Sequence, residues 1–370
     1  MQSGRFRPLA EAHGPFASVV IDDSHDTADA DKQLELRWRA VEEELAAGGA
    51  DEDLIASVRR GVTDTPNAVG RAGLAVIASR DVQLTETLIR PPEAPTARVS
   101  DLPYLVPVVV HGVDDPPYLV VAVDHAGADI EVHNAAGARA THVDPRNYPV
   151  HKAAGAENAG YSDPQRPAEE AVRKNLRATS DQVADVFDDA SAEMVWVVGE
   201  VRSRADLIAV LPQRVAERVV EVDAGARGSV DRDALEHDIT TRLLQRRADV
   251  IGDAAERWRA ESERDSGLAT EGLAGVCAAL REGAVETLLL GDVGDSTVLL
   301  GDAPTTLAPT PEVLSELGSQ RSETVRADEA LPFAAVLTDA DIVSLDERVA
   351  PRDGVAAILR YPRREGAATT

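Results

Sequence analysis

The stretch MVWVVGEVRSRADLIAVLPQRVAERVVEV, residues 194–222, decides the fold class. Its opening, Met194-Val195-Trp196-Val197-Val198, is a short apolar run that reads as a strand; Arg204 to Leu211 reads as a helix and Arg218 to Val222 as a second strand. Strand, helix and strand in that order favour a parallel pair with a crossover helix, and so an α/β fold. Upstream, Pro167 suits the first turn of a helix, Glu169 and Glu170 sit near the positive end of its dipole, and Val172, Leu176, Val183, Val186 and Phe187 make an apolar stripe. From His151 to Pro167 there is no periodicity, which leaves a loop of about 15 residues, longer than compact domains tolerate without a purpose. Before it, Tyr118 to Val123 and Asp129 to Val132 read as strands around the turn Asp124-His125-Ala126-Gly127, after a linker at Asp114-Asp115-Pro116-Pro117.

Downstream, Leu235, Ile239, Leu243, Val250, Ala254 and Trp258 keep helical spacing until Ser266-Gly267. The remainder reads as a helix from Leu268 to Glu282, strands Thr287 to Gly291 and Thr297 to Leu300, a helix from Pro311 to Ser319, an apolar run Phe333 to Leu337, and a strand Val355 to Leu359. At the other end, the run Phe16 to Ile21 reads as a strand, Leu34, Trp38, Val41 and Leu45 as a helix stopped by Gly48-Gly49, and Leu74 to Ser79 with Val82 to Ile89 as a hairpin. Three α/β domains are expected: 1–115, 116–265 with the loop 151–167, and 266–370.

Composition narrows the function classes. The chain has 370 residues, 44% hydrophobic and 28% charged, enough for real cores, and no apolar run of membrane-spanning length, so a soluble cytoplasmic protein with no membrane partner is expected. The lone cysteine, Cys277, excludes an internal disulfide and a thiolate-rich metal site, and its apolar neighbours Leu273, Val276 and Leu280 mark it as core. Formal net charge is −27, spread evenly at −9 over each expected domain, so no section looks like a basic DNA-binding domain. Residues 139–180 are the exception, with seven basic residues against five acidic ones, and it is there that phosphate contacts are expected.

Other constellations have blander readings. Gly291-Asp292-Val293-Gly294-Asp295-Ser296 lacks the Lys and Ser/Thr of a phosphate loop and joins two strands, so a hairpin turn is expected. Asp22, Asp23, His25 and Asp26 suit a solvated turn better than a cation site, and His125, His133, His142 and His151 are too scattered for a zinc pair; no metal and no cofactor are expected. Arg242, Arg246 and Arg247 are interleaved with Asp238, Asp249 and Asp253, as on a salt-bridged face, and the tryptophans lie on apolar periodicities.

Several stretches carry a family resemblance: GPFASVVIDDSHDTADADKQLELRWRA (14–40), PPYLVVAVDHAGADIEVHN (116–134), YPVHK (148–152), LREGAVETLLLGD (280–292) and GVAAILRYP (354–362). Together they resemble the bacterial branch of the archaeal and eukaryotic release factor superfamily, relatives of Pelota and class I release factors, and most closely the group that contains the hibernation factor Balon. The resemblance implies a release factor or Pelota-like arrangement of three domains. The first would face the decoding centre, the middle one would send its long loop toward the peptidyl transferase centre, and a Pelota-like C-terminal one would contact translational GTPases, elongation factor Tu among them.

Release factors carry Gly-Gly-Gln in that loop, to position water against the ester of peptidyl-tRNA. Here the loop reads His151-Lys152-Ala153-Ala154-Gly155-Ala156-Glu157-Asn158-Ala159-Gly160-Tyr161-Ser162, without the triplet. The expected role is therefore a hibernation or stress factor that occupies the aminoacyl-tRNA site of idle ribosomes without releasing peptide. Lys152, Arg166, Arg173, Lys174 and Arg177 would meet ribosomal RNA phosphates, His151 would open the loop beside them, Gly155 and Gly160 would let backbone approach closely, and Asn158 and Tyr161 would bond or stack on bases. No catalytic residue is expected. The rival expectations are a peptidyl-tRNA hydrolase that rescues stalled ribosomes, with Glu157 or Gln165 orienting water, and an adaptor that keeps the fold without binding ribosomes.

Overall fold

A computed structural model describes residues 3–25, 29–65, 71–80, 83–112, 116–134, 137–143, 165–346 and 348–363. The chain forms two units, one from Met1–Val113 with Arg247–Thr370 and the other from Asp114–Arg246.

After two short helical turns, Ser3–Phe6 and Arg7–Ala10, the first unit continues through β1 (Phe16–Asp22), α1 (Ala30–Ala47), α2 (Glu52–Asp64), β2 (Gly73–Ala78), β3 (Gln83–Leu88), β4 (Thr96–Ser100) and α3 (Val106–His111). The strands make an antiparallel sheet in the order β3-β2-β1-β4. Side chains alternate across a strand, so a continuous apolar run is stable only when both faces are covered. Ala17, Val19 and Ile21 of β1 pack on Trp38, Val41 and Leu45 of α1 and Leu54, Val58 and Val62 of α2. Phe16 and Val20 face the opposite way, into a core shared with residues 276–359. Neither α2, which Asp51 caps by accepting the Leu54 N–H at 2.9 Å, nor β4, which follows the prolines at 91, 92 and 95, is among the elements expected from the sequence.

The second unit holds β5 (Tyr118–Val123), β6 (Ala128–Asn134), β7 (Gly137–Val143), α4 (Gln165–Asp189), β8 (Met194–Gly199), α5 (Val201–Ile208), β9 (Val219–Val222) and the first half of α6 (Arg232–Glu263). Its sheet runs β7-β6-β5-β8-β9, with β5, β8 and β9 parallel. The crossover read from residues 194–222 is thus present, with α5 between the parallel strands. Leu119, Val121, Val195 and Val197 pack on Val183 and Ala184 of α4 and Leu207 of α5. Val120, Trp196, Val198 and Val222 pack from the other face on Leu235 and Ile239 of α6. Asp124 shapes the β5–β6 turn by accepting the N–H groups of Ala126 at 2.7 Å and Gly127 at 2.9 Å.

The chain returns to the first unit through β10 (Ala269–Glu271), α7 (Gly272–Arg281), β11 (Val285–Leu290), β12 (Thr297–Leu300), β13 (Leu307–Ala308), β14 (Glu323–Arg326), α8 (Ala327–Leu337), β15 (Asp341–Ser344) and β16 (Val355–Leu359). A four-stranded sheet is ordered β10-β16-β11-β15 and a three-stranded one β13-β12-β14. Two local expectations are corrected. Residues 269–271 pair with β16 instead of opening a helix; Gly272, at φ 76°, ends the strand, and Asp353 accepts the Leu273 N–H at 3.0 Å to start α7. Residues 291–296 make no hairpin, because β11 and β12 belong to different sheets. Cys277 is fully buried, as its neighbours imply, and α8 is buried from Ala327 to Val336.

Candidate nucleic-acid interface

The helix α4 carries the part of the expected RNA-binding set that can be placed. Its inner face is fixed by Leu176, Val183, Ala184 and Phe187 against the sheet and by the Ser180 hydroxyl, which donates to the Val210 carbonyl at 2.9 Å. Asn175, Thr179 and Ser180 are buried, which turns Lys174 and Arg177, three residues apart, to the exposed face. Gln165, Arg166 and Arg173 lie on the same helix. His151, Lys152, Gly155, Glu157, Asn158, Gly160 and Tyr161 lie outside the described residues.

Charge along α4 is segregated. Its basic residues end at Arg177, and beyond it come Asp181, Asp185, Asp188 and Asp189. At that far end Arg214 donates to Asp188 at 2.6 Å and holds its carboxyl below the ordinary carboxylate range. By sequence the N-terminal half of this helix carries Arg166, Arg173, Lys174 and Arg177 against Glu169 and Glu170, and every charged residue of the C-terminal half is acidic.

In the second arginine group Arg246 and Arg247 are structural, while Arg242 is exposed. Arg247 donates to the carbonyls of Val109 and Val110, both at 2.6 Å, and to that of Gly112, and so closes the C-terminus of α3. Arg246 pairs with Glu193. Near residue 22, Arg37 takes Asp22 at 2.8 Å and His25 Nδ1 lies 2.8 Å from the Asp23 carbonyl, while Asp26 lies outside the described residues. Among the described residues no group of three or more His, Cys, Asp or Glu side chains is arranged to hold a metal ion, and no helix is long and apolar enough to cross a membrane.

One polar cluster had no signal in the sequence. Arg98 of β4 donates to Asp328 at 3.0 Å and Glu329 at 3.3 Å, and its guanidinium carbon lies 3.6 Å from the centroid of the Tyr104 ring. Ser100 donates to Glu329 at 2.8 Å and Arg326 grips Asp328 through two nitrogens, each at 2.9 Å. Asp328 and Glu329 stand in the first turn of α8, a helix that is not among the elements expected from the sequence.

Two full-length relatives from Mycobacterium tuberculosis, Uncharacterized protein Rv2629 of strain H37Rv and Uncharacterized protein MT2704 of strain CDC 1551, are each 47% identical over 363 residues, 98% of this chain and 97% of theirs. Residues 117–264 match the family described as Bacterial archaeo-eukaryotic release factor family 2. The chain belongs to that family. Solved structures similar to this release factor relative include an archaeal translation termination factor, aRF1 (13% identity, 98% of this chain and 99% of that one, TM-score 0.25). A ribosome-bound archaeal Pelota with ABCE1 is similar at 15% identity over 98% and 95% of the two chains, with a TM-score of 0.43. Dom34 of S. cerevisiae is similar at 10% identity over 98% and 94%, with a TM-score of 0.37. The family match takes in the five-stranded sheet, α4 and α6 together, so Lys174 and Arg177 stand on the release factor portion of the chain.

Proposed function

We propose that this release factor relative occupies the aminoacyl-tRNA site of idle ribosomes as a hibernation or stress factor and does not release peptide. The observation that carries the reading is the match of residues 117–264 to a release factor family in a chain that contains no Gly-Gly-Gln; its one Gly-Gly pair, Gly48-Gly49, is followed by Ala50. Without the triplet, occupancy of an RNA cavity is the simpler task for the loop and helix. Lys174 and Arg177, exposed on α4, support phosphate contact, and Lys152, Arg166 and Arg173 add charge in the same stretch of sequence. The proposed partners are ribosomal RNA at the aminoacyl-tRNA site and a translational GTPase, elongation factor Tu or another.

The test is co-sedimentation of the purified protein with vacant and with peptidyl-tRNA-loaded ribosomes, with peptide release assayed in the same tubes. Binding to vacant ribosomes without release is expected. Release from loaded ribosomes that is lost in Glu157→Ala or Gln165→Ala would assign a rescue hydrolase instead. Failure to sediment at low salt would leave a fold that no longer binds ribosomes, a reading that the net charge of −27 favours through repulsion from RNA.

A further inference from the structure

A cleft of about 550 Å³ opens in the unit built from Met1–Val113 and Arg247–Thr370. Val106 and Val110 of α3, with Leu290, Val293, Leu345 and Val349, supply its apolar walls. Gly354, at φ 70°, lies in its lining; its carbonyl accepts the Gly291 N–H at 2.9 Å, and a Cβ there would lie 1.9 Å from the Asp292 carbonyl oxygen. Only glycine fits so close an approach. Tyr104 also lines the cleft, its ring held by Arg98.

The charge of the lining has one sign. Among the described lining residues Asp292, Asp328 and Asp346 contribute carboxylates and none is basic. Asp328 is already matched by Arg98 and Arg326. Asp292 and Asp346 are exposed, and each is fixed by accepting a backbone N–H through Oδ1, from Gly294 at 2.8 Å and Arg348 at 2.9 Å. The Arg348 guanidinium approaches Asp346 no closer than 3.7 Å and is itself largely in solvent, so it screens that carboxylate weakly. Apolar walls concentrate the field of charges held beside them.

We propose that this cleft docks a basic segment of a partner protein, with an apolar side chain seated among the valine and leucine side chains and flanking Lys or Arg residues on Asp292 and Asp346. Charge complementarity selects the occupant. A nucleic acid is repelled from a mouth with two carboxylates on a chain of net charge −27, whereas a cationic segment is drawn to it and its apolar residue fills the cleft. The site shares no residue with α4 and does not rest on the ribosomal reading.

The probe is the capped peptide Arg-Leu-Arg-Leu-Arg, titrated into the full chain by fluorescence anisotropy at low salt, with Glu-Leu-Glu-Leu-Glu as its charge-reversed counterpart. Saturable binding of the basic peptide alone is expected, weakened at least tenfold in Asp292→Asn/Asp346→Asn and in Ala350→Trp, which fills the mouth. The control is Asp181→Asn/Asp185→Asn, which removes two exposed carboxylates from α4 and should leave the affinity unchanged. Absence of binding, equal binding of both peptides, or equal losses in the control and the cleft variants would each overturn the proposal.

Discussion

Arg98 and Asp328 meet at 3.0 Å although 230 positions separate them in the chain. Asp328 and Glu329 are buried, and Arg98 is the guanidinium they share. Removing Arg98 leaves Glu329 without a cation in a poorly solvated place, since only Asp328 keeps a second arginine, Arg326, and that costs more than the contact itself is worth. Arg98→Ala should lower the unfolding free energy by roughly 2–4 kcal/mol, read from urea denaturation. Adding Glu329→Gln should recover part of that loss, and simple additivity of the two changes would show that the groups are not coupled.

Arg247 supports a prediction about acid. Burial first, then the charges of Arg247 and Arg90, hold the His111 imidazole below its ordinary 6.5. The unfolded chain therefore takes up this proton before the folded one does. The stabilisation is present above pH 6.5 and is lost as pH falls from 6.5 through the folded value. Urea midpoints should fall between pH 7.5 and 5.5, and the slope should flatten in His111→Gln.

Burial pushes the Cys277 thiol up to about 12. A thiol of that kind carries almost no thiolate at pH 8 and stays inert toward alkylating agents. Iodoacetamide should label the native chain only at the rate of its opening, and labelling should become complete in denaturant. Rapid native labelling would show that α7 leaves the core.

On α4, Lys174 and Arg177 are exposed, so their replacement by alanine should change stability by no more than about 0.5 kcal/mol. Ribosome binding should weaken several-fold, more when Lys152 and Arg173 are replaced as well, and its salt dependence should become shallower. Sedimentation at several salt concentrations measures both effects. An unchanged salt slope would remove α4 from the contact.

Local order was readable from the sequence where local order decides the structure. β16 runs from Val355 to Leu359 as read, and the β5–β6 turn sits on Asp124 to Gly127, because unbroken apolar runs and turn residues act on their immediate neighbours. Residues 269–271 were misread because helical and strand preferences of so short a piece are decided by pairing with β16, far along the chain. The strands around Gly291 to Ser296 looked like a hairpin for the same reason: sequence shows that two strands are adjacent, not which sheet takes each. The Arg98 cluster joins partners that no periodicity connects. In the candidate interface, the charge excess of residues 139–180 pointed to α4, and burial of Asn175 and Thr179 then selected its outward side.

The ring of Phe16 meets the ring of Phe333 edge-on at 6.3 Å, in a core to which both flanking stretches of the chain contribute. Synthesis proceeds from one end, so β1 leaves the ribosome long before α8 exists to cover it. Its inner face, Ala17, Val19 and Ile21, can close early on α1 and α2, while Phe16 and Val20 stay bare. Residues 114–246 meanwhile have every strand of their own sheet at hand. The order of completion is thus middle first and ends last, and the outer face of β1 stays open to solvent until α8 arrives to cover it.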